Sequence, residues 1–183
     1  ISGGLNAPVQ WNKVPATSLS AIATWKHKTK GWRALLGDMD LRMMIRTSGA
    51  GPDMANEAAF PTGADPARLV VGDVNDDGNM DAVVLCTGSN MALVYWGDSE
   101  GEFTAGPAMF TGGDPDVFPA LAPLDVALAD LTGDGFLDLF AVNSYAEVES
   151  RQWDAEGERP LSRLFHNDGG TFTPRRTEKH SPW

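Results

Sequence analysis

Asp73-Val74-Asn75-Asp76-Asp77-Gly78-Asn79-Met80-Asp81 and Asp130-Leu131-Thr132-Gly133-Asp134-Gly135-Phe136-Leu137-Asp138 fit one nine-residue frame. Each has Asp at position 1, an oxygen-bearing side chain at 3, Asp-Gly at 5 and 6, and Asp at 9. Three carboxylates at this spacing repel one another unless a hard cation or other donors gather them. Ca²⁺ takes about six to eight oxygen ligands at roughly 2.3–2.6 Å. Alternate positions of a tight loop can point inward together, and glycine at position 6 permits the sharp return because it tolerates positive φ. Position 7 can add a backbone carbonyl, from Asn79 in the first loop and Phe136 in the second. The frame opens like an EF-hand loop. It lacks the glutamate at position 12, where Val84 and Ala141 stand.

The flanks decide between helix and strand. Leu69-Val70-Val71 and Ala82-Val83-Val84-Leu85 bracket the first loop, and Val126-Ala127-Leu128 and Leu139-Phe140-Ala141-Val142 the second. Short apolar, partly β-branched runs of this kind predict buried strands. Each loop is therefore read as the connection in a strand–loop–strand unit.

The similarity between the two halves reaches beyond the loops, as an internal repeat requires. Ala59-Phe60-Pro61-Thr62-Gly63-Ala64-Asp65-Pro66 parallels Met109-Phe110-Thr111-Gly112-Gly113-Asp114-Pro115. Leu93-Val94-Tyr95-Trp96 through Phe103-Thr104 parallels Leu164-Phe165-His166-Asn167 through Phe172-Thr173. An earlier, damaged copy is expected at Leu35–Ser48, with Asp38 and Asp40 as remnants of a deleted loop.

Together these residues resemble the FG-GAP/VCBS repeat, which builds the β-propeller of integrin α-subunits and of many bacterial secreted proteins. The resemblance implies an all-β fold of antiparallel four-stranded propeller blades, about three in number. It divides the chain into a degenerate blade at 1–60 without a calcium loop, a blade at 61–111, and a blade at 112–183 with an insertion at 144–160. It implies two structural Ca²⁺ sites. Their ligands would be Asp73, Asn75, Asp77, the Asn79 carbonyl and Asp81, then Asp130, Thr132, Asp134, the Phe136 carbonyl and Asp138. Thr132 departs from the usual Asn or Asp and predicts a weaker second site.

Bulk properties bound the rest. The chain has 183 residues, with 14 Lys and Arg against 25 Asp and Glu, for a net charge of −11. That balance argues against nucleic acid and anionic membrane partners, which need a basic face. Apolar residues make up 42% of the chain, enough for a core. No stretch is long enough to span a membrane as a helix. Cys86 is the only cysteine and is read as a small buried apolar residue. Calcium sites of this kind fill where Ca²⁺ is near millimolar, so an extracellular, cell-surface or periplasmic setting is expected. No catalytic set stands out among His27, His166 and His180, and the chain is read as non-enzymatic. Three blades fall short of the usual four to eight. The expected partners are therefore other protein chains, through self-assembly or a larger complex, with a glycan as a further candidate for exposed tryptophans. The alternative readings are an accessory part of a secreted carbohydrate-active enzyme, and a surface-filament or membrane-anchored subunit whose neighbours complete the blades.

Overall fold

The computed structural model describes residues 18–48, 55–111, 123–143 and 162–175. Among these residues, twelve strands form three four-stranded antiparallel sheets, each in simple up-and-down order. Sheet A holds β1 (Leu19–His27), β2 (Gly31–Asp38), β3 (Met43–Ser48) and β4 (Ala55–Pro61). Sheet B holds β5 (Pro66–Gly72), β6 (Asp81–Cys86), β7 (Met91–Gly97) and β8 (Phe103–Phe110). Sheet C holds β9 (Pro123–Ala129), β10 (Asp138–Asn143), β11 (Arg163–Asp168) and β12 (Thr171–Arg175). The expected insertion at 144–160, the segments 49–54 and 112–122, the first 17 residues and residues 176–183 lie outside the described residues.

The sheets stack face to face, with β1 against β5 and β5 against β9. Two apolar layers hold the stack. Between A and B lie Trp25, Leu35 and Met44 on one side and Leu69, Ala82, Val84, Tyr95 and Phe103 on the other. Trp25 meets Phe103 edge-on at 5.8 Å between ring centroids. Between B and C lie Val83, Leu85, Val94 and Met109 on one side and Val126, Leu139, Ala141 and Phe165 on the other. Sheet B is covered on both faces, which explains why all six residues of β6 are buried and why its sequence after Asp81 is a continuous apolar run without polar alternation. Cys86 ends that run, fully buried, and its burial pushes the thiol pKa up.

Polar links at the edges add to the A–B seam. Lys30 pairs with Glu100 at 2.9 Å, and the buried Arg46 reaches Glu102 at 2.7 Å and the Gly101 carbonyl. Across β5 and β9, Arg68 faces Asp125 at 3.4 Å.

One expectation shifts by a strand. Asp38 and Asp40 were expected at the counterpart of the cation loop, which joins the first two strands of sheets B and C. In sheet A that connection is the short turn Lys28-Thr29-Lys30, and Asp38 instead pairs with Leu19 at the opposite end of the sheet. There Asp38 accepts the Leu41 N–H at 2.9 Å and caps the β2–β3 turn. Similar apolar-Gly-Asp strings can end either a first or a second strand, and only the pairing register separates them.

Candidate metal loops and their geometry

Both acidic loops occupy the β-turn position expected of them, between β5 and β6 and between β9 and β10. Their backbones match at the two positions that need unusual φ. Position 4 has positive φ in both, 58° at Asp76 and 77° at Gly133, and so does position 6, 82° at Gly78 and 97° at Gly135. Asp is among the few non-glycine types that enter this region readily.

In loop 1, positions 1, 3 and 5 are tied together. Asp73 accepts the N–H groups of Asp77 (3.1 Å) and Gly78 (2.8 Å). Asn75 donates its amide to Asp77 at 3.1 Å and accepts the Asp77 N–H at 3.2 Å. Asp77 accepts the Asn79 N–H at 2.8 Å. Loop 2 repeats the scheme. Asp130 accepts from Gly133 (2.7 Å), Asp134 (3.2 Å) and Gly135 (3.0 Å), and Asp134 accepts from Phe136 at 3.0 Å.

Position 9 has a second job that the spacing alone does not reveal. Asp81 is fully buried and takes the N–H groups of Val74 (2.8 Å), Asn75 (3.3 Å) and, across the sheet on β7, Gly97 (2.8 Å). Asp138 does the same with Leu131 (2.9 Å), Thr132 (3.1 Å) and Asn167 on β11 (2.9 Å). Each carboxylate staples the start of its loop to the third strand of its own sheet.

The two staples titrate in opposite directions. Asp81 is raised, because burial between sheets A and C outweighs its N–H donors, with the Asp77 charge adding to the rise. Asp138 feels a burial penalty too. Its donors Asn167, Leu131, His166 and Thr132 outweigh that penalty and hold it low, because sheet C has a sheet on one side only among the described residues.

By donor chemistry, loop 1 fits a hard divalent cation. It offers two carboxylates and an amide oxygen drawn together at Asp73, Asn75 and Asp77. A carboxylate has about four lone-pair sites, and three of those on Asp81 are taken, so one remains. Loop 2 fits less well. His166 lies 3.2 Å from Asp138 and 3.6 Å from Asp134, and Asp138 already has four donors around it. In neither loop do three Asp, Glu, His or Cys side chains already stand in ligand geometry among the described residues. Loop 1 also has a neighbouring cation. Lys28, in the β1–β2 turn of sheet A, donates its ammonium to the Gly78 carbonyl.

His166 and Asn167 are the site residues that the spacing did not single out. Asn167 is fully buried and donates its amide to the carbonyls of Val74 (2.7 Å) and Leu137 (3.0 Å), so it links loop 2's sheet to loop 1. Strand register puts Asn167 where sheet B has Gly97 and His166 where it has Trp96, one position off the sequence parallel of Leu93–Trp96 with Leu164–Asn167, so the sequence carried no signal for either. Trp96 itself packs into the B–C layer.

A shallow groove of about 380 Å³ lies between the starts of β1 and β5, lined by residues including Leu19, Ile22, Arg68 and Leu69. Arg68 is the only ionisable residue in its lining.

A model of the FG-GAP-like repeat matches residues 73–141, which run from the first loop through the second to the middle of β10. No curated protein matches the chain. Among solved structures, a protein from Lactobacillus plantarum superposes with a TM-score of 0.60 at 10% identity, over 90% of this chain and 42% of its own length. A putative 6-phosphogluconolactonase from Bacteroides uniformis ATCC 8492 superposes with a TM-score of 0.56 at 15% identity, over 85% of this chain and 39% of its own. The chain thus spans about two fifths of these propeller-type neighbours, and likeness at such identities concerns the fold alone. Residues 73–141 thus match the FG-GAP-like repeat, within an all-β fold of the β-propeller type.

Proposed function

We propose that this chain is a non-enzymatic, extracytoplasmic repeat module whose acidic loops hold structural Ca²⁺, and that it serves as a scaffold in adhesion, surface assembly or a larger complex. The observation that carries the reading is the convergence of Asp73, Asn75 and Asp77 in a loop that joins two buried strands. A divalent ion there would neutralise the carboxylates and lock the β5–β6 connection. The chain's own residues do the positioning: backbone N–H groups orient Asp73 and Asp77, and Asp81 anchors the loop to β7. With a Kd of about 10⁻⁴ M and roughly 1 mM Ca²⁺, one site adds about 1.4 kcal/mol. That is a sizeable share of a typical stability of about 5–15 kcal/mol.

The test is a thermal melt of the chain in about 1 mM Ca²⁺ against excess chelator, with and without Asp77→Ala. The expected result is a Ca²⁺-dependent rise in Tm that Asp77→Ala removes. Identical melts in both buffers, or an equal loss from Asp77→Ala in each, would sink the calcium reading.

A further inference from the structure

Loop 1 is reached by a positive charge from the neighbouring sheet. No Asp or Glu precedes Asp38 in the chain, and Lys26, Lys28, Lys30 and Arg33 fall within the β1–β2 hairpin. The turn of that hairpin lies against the end of sheet B that carries loop 1 and the β7–β8 turn. Its shape is set locally, because Nδ1 of His27 accepts the N–H groups of Thr29 (3.2 Å) and Lys30 (3.1 Å). Its position is set across the seam. Lys30 pairs with the Glu100 carboxylate at 2.9 Å and donates to the Glu100 carbonyl at 2.6 Å. From β3, Arg46 holds Glu102 and the Gly101 carbonyl of the same β7–β8 turn. The turn so fixed directs Lys28 to loop 1, where its ammonium donates to the Gly78 carbonyl. A carbonyl accepts the proton without cancelling the charge. The field of the ammonium therefore falls on Asp73, Asp76 and Asp77, which share the loop with Gly78. Loop 2 differs at the matching glycine: a Cβ at Gly135 would meet nothing within 4 Å, whereas one at Gly78 would stand 3.2 Å from the Lys28 nitrogen.

We propose that Lys28 is the built-in counter-charge of loop 1: it balances the loop's carboxylates when no divalent ion is bound, and it opposes the entry of one. The first half rests on the geometry alone, and the second rests on the calcium reading above. Two cations drawn to the same carboxylates repel each other, and the coupling is reciprocal. Whatever Lys28 takes from the affinity of the loop, a bound ion takes from the stability that Lys28 supplies. Lys28 is exposed, so its coupling is that of a surface charge pair. Such a pair changes a binding constant by about two- to fivefold at low salt. It is screened when the Debye length falls to about 3 Å in 1 M salt.

The consequence is a graded latch between sheets A and B. With no divalent ion in loop 1, three side chains of sheet A clasp the end of sheet B: Lys28, Lys30 and Arg46. With one bound, Lys28 contributes less and the turn is held chiefly by Lys30 and Arg46. The histidine beside loop 2, His166, comes from that loop's own sheet, so the charge state of loop 2 does not bear on the A–B seam in this way.

The test compares Lys28→Gln, which keeps a donor and loses the charge, with Lys28→Arg, which keeps both. Both are made in the full chain, with and without Asp134→Ala to silence loop 2. Ca²⁺ is titrated by calorimetry at low salt and in 1 M NaCl, and thermal melts are recorded in chelator at both salts and in saturating Ca²⁺. Lys28→Gln should bind Ca²⁺ about two- to fivefold more tightly at low salt and equally in 1 M NaCl. Its loss of Tm, on the order of 1–4 °C in low-salt chelator, should shrink in Ca²⁺, and Lys28→Arg should follow the parent chain. Unchanged or weaker Ca²⁺ binding by Lys28→Gln would overturn the proposal, because Lys28 would then be a bystander or a bond that shapes the loop for the ion. Absence of Ca²⁺ binding by every protein would be the failure of the calcium reading instead. The chelator melts then decide alone. A loss in Lys28→Gln that appears at low salt and vanishes in 1 M NaCl keeps Lys28 as the counter-charge, and a loss that is absent or equal at both salts refutes it.

Discussion

Asp81 and Asp138 share one spacing, a complete lack of solvent exposure and matching backbone donors, yet their surroundings push their protonation in opposite directions. The sign follows from which state binds the proton more tightly. Asp138 is held below its ordinary value, so its contribution is full above the unfolded value of about 3.8 and is lost as pH falls through the folded value. Asp81 is raised, so its ionisation works against folding as pH rises through its folded value. In chelator, Asp138→Asn should flatten the fall in stability between about pH 5 and pH 3, while Asp81→Asn should steepen it. Urea titrations across that range check both slopes, and matching slopes would refute the assignment. At neutral pH, Asp138→Asn should still cost about 2–3 kcal/mol, because the amide turns a donor toward N–H groups that had an acceptor. The carboxylates of this site were legible as a pattern in the sequence. The division of labour among them was not, because position 9 reaches Gly97 and Asn167, residues 16 and 29 positions further along the chain.

At the scale of the element, the loop is a backbone shape before it is a charge cluster. Gly78 and Gly135 both sit at φ values that L side chains resist. Alanine at either should cost about 1–2 kcal/mol from backbone strain. The two sites differ in their surroundings: a Cβ at Gly135 meets nothing within 4 Å, whereas one at Gly78 comes 3.2 Å from the Lys28 ammonium. Gly78→Ala should therefore cost at least as much as Gly135→Ala in a thermal melt, and a neutral result at both would show that the turn relaxes freely. The strands around the loops were readable because their apolar runs are local. Sheet A's turn was misread by one strand, because Leu35-Leu36-Gly37-Asp38 and Val70-Val71-Gly72-Asp73 look alike until pairing is known.

On the scale of the whole molecule, the chain behaves as a linear array in which each sheet touches its neighbours, so stability is close to a sum over sheets and seams. Asn167 is the polar anchor of the B–C seam. Asn167→Ala leaves the Val74 and Leu137 carbonyls without this donor, at an expected cost of about 2–3 kcal/mol. Amide hydrogen exchange should show sheet C opening before sheets A and B in that variant, and uniform acceleration across all three sheets would contradict a seam-specific loss. The amino-acid sequence alone determined the repeat, the strand–loop–strand units, the two acidic frames and the buried character of β6. Those features are set by residues within about ten positions of one another, where alternation, turn chemistry and carboxylate spacing act directly. The tertiary structure decided the rest: that Asp81 and Asp138 are staples, that His166 and Lys28 approach the loops, that Asp38 caps a different turn, and that sheet B is covered on both faces. Each of these depends on which distant strands pair and which sheets stack, and long-range register and desolvation are properties of the assembled core that no local pattern encodes.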